Sequence, residues 1–264
     1  MPLAKKTGIV AIALIIFNVL FFWIKPEGRA MTVVCDLLPL IGALAALAGT
    51  ALAVKSFGLV DRPKLAWILL LSGMILFSGA EAIYGVLEVI LNVDVRDGFP
   101  ILADYFRMAA CLPVLTGLAM LVLGYKKSRF NFGRKRNVVF TWTALALVAV
   151  ALVHQLLLPI LQDAATGLPA KSAYLYYFAT GLLVLVPAAF LMHISSLYRR
   201  SLLLRPWRYM AAGLLCVMVF TILHTYLSWN NMYSQGNFLE ILRTAGYLLV
   251  GLSGLHQKEL HASV

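Results

Sequence analysis

The sequence predicts an all-α, polytopic membrane protein, and three observations carry that prediction. Of 264 residues, 62% are hydrophobic and only 12% are charged, with a mean hydropathy of +0.88; a soluble domain carries about 25% charged residues. The apolar residues fall into eight blocks, each long enough to cross about 30 Å of hydrocarbon, which takes roughly 20 residues. The basic residues gather in every second connection, as the positive-inside rule requires of a multi-pass chain.

The eight predicted spans cover about 7–24, 34–56, 65–92, 99–125, 137–161, 172–197, 206–229 and 237–256. The first, "TGIVAIALIIFNVLFFWI", follows Lys5 and Lys6 as a signal peptide would. It is longer than a signal's apolar core and no A-x-A cleavage site follows promptly, so it is expected to stay in the protein. The second contains "IGALAALAGTALAV", with Gly and Ala at four-residue spacing. That pattern makes a helix face for close packing in lipid and implies no cofactor. The third opens on Arg62-Pro63, and a proline is tolerated in a first helical turn because the N–H groups there have no intrahelical acceptor. It carries Glu81, Tyr84 and Glu88, whose spacing puts them on one stripe. The fourth begins with Asp104 and Arg107, the fifth holds His154, the sixth His193, the seventh His224, and the eighth Glu240 and Arg243.

The net charge of +11 is explained by topology rather than by nucleic acid. With the N-terminus in the cytoplasm, the inside segments hold Lys5, Lys6, Lys55, Arg62, Lys64, Lys126, Lys127, Arg129, Arg134, Lys135, Arg136, Arg199, Arg200, Arg205, Arg208 and Lys258, sixteen of the 22 basic residues. Lys25, Arg29, Arg96 and Lys171 fall outside, and Arg107 and Arg243 lie within spans. Both termini are therefore expected in the cytoplasm, in a cell (inner) membrane, with the basic loops facing anionic lipid. No nucleic-acid partner is expected. Cys35, Cys111 and Cys216 lie at different depths without paired spacing and read as small buried hydrophobes.

The chain is expected to form one membrane domain, 1–264, built from two tandem halves of about 1–128 and 129–264. "RPKLAWILLLSGMILFSGAEAIYGVLE" from Arg62 corresponds to "RPWRYMAAGLLCVMVFTILHTYLSW" from Arg205, 143 positions later, with Phe77 against Phe220 and Glu81 against His224. The next helix repeats at an offset of 136, aligning Asp104 with Glu240, Arg107 with Arg243 and Ala109 with Ala245. Four spans per half give both halves the same orientation, related by an axis along the membrane normal.

Intramembrane charges cost about 2.5–3.5 kcal/mol each on insertion scales, so they are expected to face inward and find partners. The i,i+3 spacing predicts that Asp104 pairs with Arg107 and Glu240 with Arg243 inside single helices. Glu81, Glu88 and Asp36 then remain, and the acids, the two arginines and the two outer-half histidines, His154 and His224, are expected to converge on a pocket open to the outer side. The candidate ligand-binding residues are Glu81, Tyr84, Glu88, Asp104, Arg107, His224, Glu240 and Arg243, against the plainer reading in which the pairs only hold helices in register.

Other patterns are weaker. "GLSG" at Gly251–Gly254 imitates an intramembrane serine protease, but Ser253 ends the last span with no later helix to supply a base. "KSFGLVDRP" matches one motif of phosphatidic-acid-type phosphatases without its companions. No nucleophile, base and oxyanion donor come together, so no catalytic residue, metal site or cofactor is expected. His154 and His224 leave a b-type haem as a third reading, which needs opposed rings across a haem-sized gap.

Arg62, Pro63, Glu81, Tyr84, Asp104, Arg205, Pro206, Tyr247, Gly254 and Leu255 resemble the multi-helix membrane input regions that precede bacterial diguanylate cyclase, phosphodiesterase or kinase domains. The resemblance covers about half of the chain, and implies a sensory role. In those regions a soluble output domain follows the last helix, whereas this sequence closes on "HQKELHASV", so a separate cytoplasmic or membrane signalling partner is expected. The expected function is thus a receptor-like module that takes a small polar ligand from the periplasmic side. Its rival is a small transporter of an anionic or zwitterionic solute, in which acid–arginine pairs coordinate substrate and couple protons.

Overall fold

The structure is a computed structural model and describes residues 3–25, 28–58, 61–93, 95, 100–127, 135–163, 167–197 and 204–262. Among these residues every regular element is helical: α1 (Leu3–Ile24), α2 (Arg29–Ser56), α3 (Arg62–Gly85) continued by a π-helical turn (Val86–Ile90), α4 (Leu102–Lys127), α5 (Lys135–Leu152) continued through a second π turn (Val153–Leu157) into the short α6 (Leu158–Gln162), α7 (Leu168–Leu197), α8 (Arg205–Trp229) and α9 (Leu239–Ala262). Arg96, Arg129, Arg134, Arg199 and Arg200, which entered the charge count, lie outside the described residues.

Seven of these units are long and apolar enough to cross a membrane: α1, α2, α3 with its π turn, α4, the α5–α6 unit, α7 and α8. The chain is a multi-pass helical membrane protein. The eighth predicted span folds as α9, 24 residues or about 36 Å at 1.5 Å per residue, but it is less apolar than the rest. Its position supplies the reason. α9 packs against α1, α2 and α8, and thirteen of its residues are buried, Glu240, Arg243 and Gln257 among them. A helix screened from lipid by its neighbours does not need an apolar surface. α1 and α5 show the opposite pattern and turn bare apolar side chains outward, Trp23 77% and Phe140 74% exposed.

Small residues let the helices around α9 approach closely. The Gly/Ala stretch of α2 runs parallel to α9, with Gly42 against Thr244 and Tyr247, and Gly49 against Gly251 and Gly254. A Cβ on Gly251 would sit 2.7 Å from the Ala45 carbonyl oxygen, and one on Gly213 of α8 would sit 2.6 Å from that of Gly246. No larger residue fits either crossing. The central core of Trp67, Leu70, Met74, Val114, Leu118, Met210 and Leu214 joins α3, α4 and α8 beside this spine.

The two ends of the chain meet on one face. The Ala4 N–H donates to Glu259 Oε1 at 2.8 Å, and Phe57, after α2, packs its ring 4.5 Å from that of His261. Both Arg-Pro pairs begin helices as expected, with proline in the first turn of α3 and of α8, and the rings of Trp67 and Trp207 lie 5.1 Å apart, tilted by 40°, just beyond them. Asn92 and Asn231 take positive φ values of 52° and 55° just past the ends of the α3 unit and α8, the left-handed conformation that commonly stops a helix. They mark the opposite face, and the buried charges lie beneath it.

Candidate functional site

Glu81, 1% exposed, sits on the inner face of α3. A carboxylate that deep is tolerable only with cations and donors around it, and two other helices supply them. Arg107 of α4 donates from Nη2 to both of its oxygens at 3.1 Å. Arg243 of α9 donates from Nη1 to Oε2 at 3.3 Å, and the Tyr247 hydroxyl donates to Oε1 at 2.9 Å. Glu81 was expected to be left over after local pairing; it is instead the shared acceptor of both intramembrane arginines.

The expected Asp104–Arg107 pair does not form. Asp104 caps its own helix start, accepting the Ile101 N–H at 2.9 Å, and it accepts the hydroxyls of Tyr84 at 2.6 Å and Tyr177 at 2.9 Å. Its guanidinium neighbour turns away toward α3, where Arg107 Cζ lies 4.4 Å from the Tyr84 ring centre. The spacing rule allowed the pair, but a carboxylate in a first helical turn also has free N–H groups to accept, and the fully buried Glu81 gains more from the cation. The second local pair does form: Arg243 Nη2 lies 2.5 Å from Glu240 Oε2, and Glu240 also accepts the Tyr233 hydroxyl. Tyr233 lies in the connection after α8, where burial and the adjacent Glu240 carboxylate push its hydroxyl above the usual phenol range.

Arg243 has one further acceptor, the Cys35 carbonyl oxygen at 3.0 Å. Position 39, four residues on in α2, is a proline inside the helix. Proline has no N–H, so the carbonyl four residues before it loses its helical partner, and Arg243 takes the vacancy. Phe220 stands 5.1 Å from the same guanidinium.

The connection from α8 to α9 closes over this assembly. Gln235 donates to Glu88 Oε2 at 3.0 Å and accepts from Thr32 Oγ1 at 3.2 Å, tying the connection to both α3's π turn and α2. Asp36 lies against Glu88. Its Oδ2 has no hydrogen-bond partner among the described residues, although the residue is only 6% exposed. His224 packs its ring 4.3 Å from that of Tyr233 and 5.3 Å from that of Phe220.

A cavity of about 400 Å³ opens among these groups. Seven of the eight sequence-selected residues line it: Tyr84, Glu88, Asp104, Arg107, His224, Glu240 and Arg243. Glu81 lies behind the wall, holding three of the lining residues, Arg107, Arg243 and Tyr247, in place. Asp36, Tyr174, Tyr177, Tyr233 and Gln235 also line it. Tyr177 and Gln235 were not singled out from sequence, because their partners lie 73 and 147 positions away and no local pattern marks them. Pro39 was the one readable signal that was missed.

The remaining candidates lie elsewhere. His154 is exposed on the second π turn and is not part of the cavity wall, so it shares no space with the His224 ring. His193 lies 3.3 Å from Thr141 Oγ1. Ser253 is fully buried and donates to the Pro206 carbonyl at 2.7 Å, so "GLSG" is a packing element in which Gly251 and Gly254 meet α2. All three cysteines are free, Cys35 and Cys111 buried and Cys216 half-buried. Among the described residues no group of three or more His, Cys, Asp or Glu side chains is placed to hold a metal ion.

Fold and site together define a multi-pass helical membrane protein with a buried ion network beneath a polar cavity. Compared with known proteins, the chain gives no significant match to any family model, curated protein or solved structure.

Proposed function

We propose that this chain is a receptor-like sensory module of a bacterial-type inner membrane, with the basic face and both termini in the cytoplasm. Its cavity faces outward and receives a small polar ligand, and the signal passes to a separate partner. The observation that carries this reading is the sharing of one carboxylate, Glu81, by Arg107 and Arg243 from two different helices. A ligand that draws either arginine, or competes for its acceptors, changes how tightly α4 and α9 are held to α3. Interfaces of this kind tend to have discrete arrangements rather than continuous ones, so a small change at the cavity becomes a helix movement at the far face.

The two parallel halves are part of the same proposal. Phe77 and Phe220, matched by the repeat, both line the cavity, as do the matched Asp104 and Glu240 and the matched arginines. A binding site between two related units fits the pattern of membrane proteins built from parallel repeats.

The test replaces Arg107 and Arg243 by glutamine, singly and together, and follows amide exchange at the first turns of α3 and α8 while small polar solutes are added. The expected result is loss of the solute-induced change with folded protein still present in the membrane. Loss of folded protein in the same proportion as the response would show that the pairs only stabilise the bundle. Solute accumulation in proteoliposomes would mark a carrier.

A further inference from the structure

The hydrogen-bonding groups that the protein leaves unused decide what the cavity can receive. Its carboxylates serve the protein itself. Asp104 accepts two tyrosine hydroxyls and an N–H, Glu240 is held by Arg243 and Tyr233, and Glu88 accepts from Gln235 and hydrogen-bonds Asp36. The other oxygen of Asp36, Oδ2, is sealed from the cavity. Arg243 is engaged by Glu240, Glu81 and the Cys35 carbonyl. Arg107 is already neutralised by Glu81, so an anion brought beside it would add a buried negative charge without a counterion, which is costly.

Four polar side chains of α8 face the same space. Thr221, His224, Thr225 and Ser228 all line the cavity, and their i, i+3, i+4, i+7 spacing makes one stripe about 10 Å long at 1.5 Å per residue. Thr221 and Thr225 donate to the carbonyls of Val217 and Thr221, so each hydroxyl has only lone pairs to offer. The His224 ring nitrogens and the Ser228 hydroxyl have no hydrogen-bond partner among the described residues, and none of these atoms is sealed off. Arg107 spends only Nη2, on Glu81; among the described residues its Nε and Nη1 hydrogens have no acceptor, and they too are not sealed.

A ligand here must accept from a guanidinium and donate to threonine oxygens at once. A hydroxyl does both on one atom, and several hydroxyls are needed to follow a stripe of this length. Phe77 and Phe220 supply flat apolar faces in the same wall, suited to the C–H face of a saturated ring. At about 400 Å³ the space matches a small molecule rather than a bare ion. Resting on the pocket proposed above, we infer that the cavity binds an uncharged polyhydroxy compound of monosaccharide size, aligned along the Thr221–Ser228 stripe of α8 with Arg107 as an additional donor.

Calorimetric titration of the full-length protein in lipid nanodiscs, free of sugar-headed detergent, tests this with D-glucose, D-galactose and D-mannose. Each hexose is compared with its anionic uronate and its cationic 2-amino derivative, and cyclohexylmethanol stands for a ring with one hydroxyl. At least one hexose is expected to bind saturably, with its charged relatives and cyclohexylmethanol weaker by about tenfold or more. Ser228→Ala and Thr221→Val should each weaken that hexose by about fivefold while leaving the elution profile and melting temperature near those of the parent. No saturable binding of any hexose, equal or tighter binding of a charged relative or of cyclohexylmethanol, or variants that both bind the hexose as the parent does would each overturn the inference. The pocket reading fails separately. Saturable binding of a uronate or amino sugar alone would keep the pocket and remove this ligand class, whereas accumulation of the bound hexose in proteoliposomes would make the protein a carrier while the polyol site stands.

Discussion

Arg243 and Glu81 lie 162 positions apart in the chain and meet at 3.3 Å. That contact holds α9 to α3 across the bundle, and the same carboxylate holds α4 through Arg107. The cost of burying these charges is offset only while all three are present, which makes the network sensitive to the loss of any one member.

Glu81→Gln should therefore be among the most damaging single substitutions, costing about 3 kcal/mol or more by stranding the Arg107 guanidinium and removing one of the two carboxylates of Arg243. Combining it with Arg107→Gln should cost less than the sum of the two single changes, because the second removes a charge that the first left uncompensated. Thermal unfolding of the four proteins in one detergent reads the coupling directly; simple additivity would mean that the pair contributes no mutual stabilisation.

Asp104 offers a test of which partner its carboxylate serves. Asp104→Asn and Tyr177→Phe should each destabilise by about 1–2 kcal/mol and should be strongly non-additive, since they break one shared hydrogen bond. Asp104→Asn with Arg107→Gln should come closer to additive. The reverse ranking would restore the local ion pair that the i,i+3 spacing suggested.

Gly251→Leu should prevent α2 and α9 from docking, because the atoms in the way are backbone and have no rotamer to yield. Gly8→Leu, on α1 with nothing within 4 Å of its added Cβ, should leave the protein unchanged. Yield of monodisperse protein after solubilisation separates the two outcomes; equal tolerance at both sites would contradict the close crossing.

Ser253→Ala should cost about 1 kcal/mol through loss of the bond to the Pro206 carbonyl. The parent protein should not react with fluorophosphonate probes, since the hydroxyl is fully buried at a helix crossing. Labelling abolished by Ser253→Ala would revive a hydrolytic role.

Orientation is open to direct measurement in whole cells. A cysteine at Asn231, exposed beside the cavity, should react with a membrane-impermeant maleimide in intact cells, whereas one at Lys258, exposed near the paired termini, should react only after lysis. The opposite pattern would invert the proposed topology.

Much of the architecture was legible in the chain because the bilayer imposes a simple rule. Backbone polar groups in hydrocarbon must be satisfied within the segment, so long apolar blocks become helices wherever they occur, and the Arg-Pro pairs mark the starts of two of them. Local chemistry was legible to the same extent: Glu240 and Arg243 pair as their spacing predicts, and the Gly/Ala stretch of α2 forms a close crossing. Spacing alone also placed seven of eight selected side chains on one cavity, because polar groups excluded from lipid have only the bundle interior left to face. What it did not decide was the pairing. Asp104 had Arg107 one turn away, yet each found a partner on another helix; α9 was sheltered enough to carry charges that its neighbours do not; and Pro39 freed a carbonyl that Arg243 filled from across the bundle. Those outcomes depend on which helices adjoin and how deeply each charge is buried, quantities set by packing in three dimensions and absent from any linear pattern.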